Sequence, residues 1–147
     1  MAWISGVGDT AFGRLEGEDT LTLMGKAATA ALDDAGLERR DIDGLLCGYS
    51  TAHPHLMLAS VFSEYFGLDP HYCHTVQVGG GTGAAMTMLA HRLCDQRQCR
   101  HMLVVAGENR LTPEKTGSDA NLPSGETDAD LGATVDSPSG LADNTAI

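Results

Sequence analysis

The run Val76-Gln77-Val78-Gly79-Gly80-Gly81-Thr82-Gly83-Ala84-Ala85-Met86 has the most chemical potential in this chain. A strand-like apolar segment enters it and a helix-forming segment leaves it. Its glycines can adopt positive φ and let a ligand or another backbone come close, and the first amides of the following helix point free N–H groups forward. A turn of this kind can hold a nucleophile or an anion.

Other residues compete for a chemical role. Written as Gly79-x-Gly81-x-x-Ala84, the turn meets the loose dinucleotide-binding fingerprint, with Glu108 at the end of the next strand as the ribose acid. That match is the weaker reading, because the fingerprint belongs in a first βαβ unit and Glu108 lies beyond the usual ~20-residue spacing. Glu108 and Asn109 follow a strand, where an acid and an amide could orient a substrate or cap the next segment. Tyr49 and Ser50 end another strand and are pocket-lining candidates. His53 and His55 form H-x-H, and His71, Cys73 and His74 cluster, but the usual zinc spacings are absent and no metal is expected. Cys47, Cys73, Cys94 and Cys99 form no C-x-x-C pair and read as reduced core or surface thiols.

The elements that position these groups follow from periodicity. Residues 3–8 (WISGVG) read as a short buried strand and 8–19 as a polar loop. Leu21, Met24, Ala28, Ala31, Leu32 and Ala35 recur at helical spacing, with Asp19 or Thr20 able to cap the start and Gly36 the end. LLCGYS from Leu45 reads as a strand covered on both faces. Leu58, Val61, Phe62, Tyr65 and Phe66 mark one face of a second helix closed by Gly67-Leu68. CHTVQV, the glycine turn, a third helix AAMTMLAHRLCDQ and a strand HMLVVAG complete the series. The order βαβαβαβ predicts a layered α/β domain over residues 1–110.

Residues 111–147 differ in character. They hold no aromatic residue and set seven acids against a single lysine, over half of the net charge of −11. So little large apolar surface predicts an irregular or disordered acidic tail. The overall acidity opposes nucleic-acid and anionic-lipid partners. No secretory n-region or membrane span is legible, so a cytoplasmic location is expected.

Taken in order, GVGDTAFGR, AALDDAGL, RRDIDGLLCGYS, HTVQVGGGTGAAM and MLVVAGEN resemble the N-terminal half of thiolase-superfamily proteins over residues 3–110. The likeness is greatest to the branch of sterol-carrier-type thiolases, lipid-transfer proteins and related aldolases. In thiolases the corresponding turn reads about N-x-x-C-x-S-G. Its cysteine sits at a helix N-terminus, which lowers the thiol pKa so that the thiolate can take an acyl group from a coenzyme A thioester. Setting Thr82-Gly83 on the Ser-Gly places Gly80 on the cysteine and Gln77 on the asparagine. The resemblance therefore implies a nucleophile elbow formed by Gly79, Gly80, Gly81, Thr82 and Gly83 that has lost its nucleophile, with no catalytic residue in this chain. The family's other catalytic groups come from a C-terminal half. The resemblance further implies acyl-CoA as substrate with no cofactor, chemistry of acyltransferase or retro-aldolase type, and inactivity of the chain alone. As partners it implies a homodimer or a hetero-oligomer with thiolase-like or OB-fold subunits, and it implies a structural role for Glu108, whose AGxE stretch in thiolase relatives supports the dimer and the active-site loop. A noncatalytic scaffolding subunit or a truncated remnant is the alternative.

Overall fold

The computed structural model describes residues 1–52 and 54–110. Helix α1 spans Thr20–Ala35, strand β1 Gly44–Gly48, helix α2 Leu58–Phe66, strand β2 Tyr72–Val76, helix α3 Thr82–Asp95 and strand β3 Met102–Val105. Single 3-10 turns occupy Arg39–Asp41 and Gly79–Gly81.

The helix ends are set by the residues that the sequence offers for them. Asp19 is the N-cap of α1, its carboxylate accepting from the Thr22 N–H at 2.6 Å. Gly36 and Gly67 end α1 and α2 in the left-handed region, at φ 66° and 72°. In each stop the following leucine closes the turn, Leu37 N–H donating to Leu32 O at 3.0 Å and Leu68 N–H to Ser63 O at 2.9 Å. Both leucines then pack against the core. This is the Schellman arrangement with its apolar contact.

The three strands form one parallel sheet in the order β2-β1-β3, with Gly44 opposite Tyr72 on one side and Met102 on the other. Central β1 is buried along its whole length, as expected for a strand covered on both faces. From β1 the chain passes through α2 to β2 on one side, then through α3 across β1 to β3 on the other. Right-handed crossovers in opposite directions must lie on opposite faces. Accordingly Leu45, Cys47, Leu103 and Val105 join the main core with Met24, Ala28 and Leu32 of α1 and Leu58, Phe62 and Phe66 of α2. The Cβ position of Gly48 faces the other way, 3.3 Å from Met86 and 3.6 Å from the Thr82 methyl of α3.

Phe62 is fully buried and stacks on Phe66 at 5.3 Å, making the centre of this core the contact of α2 with the sheet. Tyr65, expected on the same buried face, is 52% exposed. The face is centred one residue away, on Leu58, Ala59, Phe62 and Phe66, and this leaves Tyr65 at its rim.

Residues 3–8 differ from the sequence expectation. They pair with no strand, and Trp3, Ile4 and Val7 are 80%, 76% and 70% exposed. Gly6 and Gly8 explain the path taken. A Cβ at Gly6 would lie 2.4 Å from Ala31 O and one at Gly8 2.2 Å from Ala27 O, so the bare backbone lies directly on α1. The Val7 N–H donates to the Asp34 carboxylate at 2.9 Å. Because β1 pairs directly with β3, no position remains between them for another strand, and the described order is αβαβαβ. The α/β class with a parallel sheet stands. The expected tail, 111–147, lies outside the described residues.

Candidate functional site

Because all three strands run parallel, the segments that follow them meet at one edge of the sheet. Open α/β sheets bind ligands at this carboxyl edge. Three segments form it here: 49–52 after β1, 77–81 after β2 and 106–110 after β3. The sequence-derived glycine turn is the second of them, and α3 starts from it.

Within the turn, Gly79 has φ 69° and is the position where the backbone itself calls for glycine. Gly80, Gly81 and Gly83 do not have left-handed φ, and a Cβ on any of them would meet nothing within 4 Å. The glycine at 80 is thus required neither by conformation nor by packing. Its Cα faces open space at the edge of the sheet. Thr82, only 8% exposed, accepts from the Val78 N–H at 3.2 Å and donates to Gly79 O at 2.7 Å. Gln77 and Val78 are exposed beside it.

The first and third segments are bound together by Glu108. Its carboxylate accepts from Ser50 Oγ at 3.1 Å, Thr51 N at 2.8 Å, Thr51 Oγ1 at 2.9 Å and Ala52 N at 2.9 Å. Partial burial pushes its pKa up, but the backbone and side-chain donors of Thr51, Ala52 and Ser50 outweigh this and hold it below the usual glutamate value. Arg110 Nε donates to Thr51 Oγ1 at 2.7 Å. A carboxylate held by four donors serves as a clamp, which supports the structural reading of Glu108 and counts against its use on a ribose. Ser50 is buried in this clamp rather than lining a pocket.

Two further anchors form bonds whose partners no local pattern could name. Asn109 Nδ2 donates to Leu15 O at 3.2 Å and Glu18 O at 2.6 Å, fixing the loop before α1. Asp43 accepts from the amides of Arg100 and His101 at 2.9 Å each, and ties the start of β1 to the start of β3. Both act across more than fifty residues of sequence, and no local pattern announces such a bond.

No cysteine reaches the turn. Cys73 lies within β2, and Cys94 is near the far end of α3, ~18 Å along the axis from Thr82 at 1.5 Å per residue. Buried Cys47 has its pKa pushed up to about 12, first by desolvation and then by the neighbouring Cys73. Desolvation likewise raises Cys73, Cys94 and Cys99. These are settings for thiols, not thiolates. Among the described residues no three His, Cys, Asp or Glu side chains are grouped to hold a metal ion; His53 lies outside them. No described helix is long and apolar enough to cross a membrane.

Two open grooves lie elsewhere, the larger of about 820 Å³ between the end of α1, the Arg39–Asp41 turn and Gly67–Asp69. The other runs between α1 and α2, lined by Thr22, Lys26, Asp33 and Tyr65 among others. None of their lining residues comes from the glycine turn.

No protein-family model and no curated protein matches the chain. Solved structures do. AbyA1, a tetronic acid condensing enzyme, matches 59% of this chain and 28% of its own at 25% identity and TM-score 0.54. OleA of Xanthomonas campestris, solved as a cysteine-to-serine variant with lauric acid and lauroyl-CoA bound, matches 63% of this chain and 28% of its own at 28% identity and TM-score 0.53. The 3-oxoacyl-[acyl-carrier-protein] synthase III of Aquifex aeolicus VF5 matches 63% of this chain and 30% of its own at TM-score 0.56; its 16% identity speaks to fold alone. The match thus spans less than a third of each solved chain. All three relatives are thiolase-superfamily members, and over the matched residues this chain carries the thiolase-superfamily fold read from its sequence.

Proposed function

We propose that the chain is the N-terminal part of a thiolase-like protein of acyl-CoA metabolism, and that Gly80 occupies the position of the family's nucleophile. One observation carries the reading. The glycine turn opens α3 at the carboxyl edge of the sheet, and the side of residue 80 is unobstructed although neither backbone nor packing demands glycine there. OleA with bound lauroyl-CoA supports an acyl-CoA thioester as the ligand class.

Without a thiol at 80, covalent acyl transfer cannot begin on this chain. Acyltransferase or retro-aldolase chemistry then depends on groups outside the described residues, supplied by a thiolase-like or OB-fold partner, and the isolated chain is inactive. The lipid-transfer and aldolase branch is our assignment, in a cytoplasmic setting. A noncatalytic subunit that stabilises a complete thiolase-like protein is the second reading. It is favoured by the missing nucleophile and by raised thiol pKa values at all four cysteines.

Size-exclusion chromatography with light scattering, run with and without lauroyl-CoA, tests the proposal. Retention of the thioester by the chain or by its oligomer is expected. A well-folded monomer that binds no thioester, alone or with a thiolase-like partner, rules out the acyl-CoA reading.

A further inference from the structure

The turn at residues 79–81 has little of its own to hold it. A Cβ at Gly79, Gly80 or Gly81 would find no heavy atom within 4 Å, so no other element fills the space on that side of the turn. The Thr82 N–H closes the 3-10 turn onto Gly79 O. The Thr82 side chain adds the bonds that fix its direction. Its hydroxyl accepts from Val78 N–H, before the turn, and donates to Gly79 O, within it. Its methyl lies 3.6 Å from the Cβ position of Gly48 on central β1, and the residue is 8% exposed. One buried side chain therefore ties the glycine turn to the central, buried strand of the sheet.

We propose that Thr82 is the positioning residue of this turn: its hydroxyl sets the direction in which residue 80 faces the carboxyl edge. The proposal rests on the elbow reading above. The hydroxyl and the methyl divide the work. The hydroxyl orients the glycines, and the methyl packs α3 against β1. Serine at 82 would keep the orientation and lose packing, whereas valine would keep packing and lose the orientation.

A cysteine introduced at 80 reports that orientation, because a thiol held at the start of α3 has its pKa lowered. Rates of iodoacetamide alkylation across pH, with residue 80 identified by peptide mass mapping, give the thiol pKa in Gly80→Cys and in its doubles with Thr82→Val and Thr82→Ser. We expect Gly80→Cys to titrate at least about one unit below an ordinary cysteine, which is ~tenfold more thiolate at mildly acidic pH. The valine double should lose most of that shift and the serine double should keep it, whatever either does to the melting temperature. In the otherwise unaltered chain, Thr82→Val should speed hydrogen exchange at the Val78 amide by about tenfold relative to wild type, a readout that needs no cysteine.

A valine double that keeps the lowered pKa, together with unchanged Val78 exchange, overturns the positioning role and leaves the elbow reading standing. A serine double that loses the shift as fully as valine also overturns it, since packing would then be the cause. An ordinary pKa in Gly80→Cys with Thr82 intact sinks the elbow reading itself.

Discussion

Glu108 shows how one side chain can bind two segments together at the carboxyl edge of a sheet. Its four donors come from residues 50–52, fifty-six or more positions away in the chain. Its pKa is lowered in the folded state, so its stabilisation is complete above the unfolded-state value and is lost as pH falls through the folded value. Asp43 is also lowered: burial raises it, but the Arg100 and His101 amides prevail, and it acts in the same direction. Urea unfolding should therefore show stability falling below about pH 4, with a smaller fall in Glu108→Gln. At neutral pH, Glu108→Ala should cost about 2 kcal/mol, the scale for hydrogen bonds to a charged group. If unfolding of Glu108→Gln tracks wild type at every pH, the clamp is not contributing. The cysteines give a complementary check. Buried Cys47, with its pKa near 12, should be alkylated only at the rate of unfolding, which timed labelling with mass mapping would detect.

At the scale of elements, the sequence was most legible where a stop or a period lies within a few residues. Asp19, Gly36 and Gly67-Leu68 marked helix ends that the structure reproduces, because capping is a local bond. Residues 3–8 were misread because apolar content was weighed above the glycines. WISGVG has the composition of a strand, yet Gly6 and Gly8 let it lie on the α1 backbone with its large side chains outward. Trp3 is the chain's single tryptophan, so its fluorescence tests this arrangement directly. Emission should match that of free tryptophan and be quenched readily by iodide; blue-shifted, shielded emission would mean that the segment is a buried strand after all. The core of α2 offers a harsher test. Phe62→Ala should cost roughly 3–5 kcal/mol, the usual cost of removing a buried aromatic, and a loss below about 1 kcal/mol would contradict the packing described.

For the whole molecule, order and spacing of several segments carried the fold, since each piece alone was unremarkable. The superfamily fold and the position of the glycine turn at the carboxyl edge were therefore readable in advance. The bonds of Asp43, Asn109 and Glu108 were not, because they join residues more than fifty positions apart that only the fold brings together. The two grooves beside α1 show why cavity size alone is a poor guide here. The larger measures about 820 Å³, yet neither holds a residue of the glycine turn at the carboxyl edge of the sheet.

That the glycine turn is a thiolase-type elbow whose nucleophile position stands vacant at Gly80 is most directly tested by the thiol pKa of Gly80→Cys. Open space around the residue, and a φ outside the left-handed region, predict that this variant folds like wild type. Its new thiol should titrate at least about one unit below the ordinary cysteine value of ~8.5. A well-folded Gly80→Cys with a thiol pKa at or above that value would contradict the account.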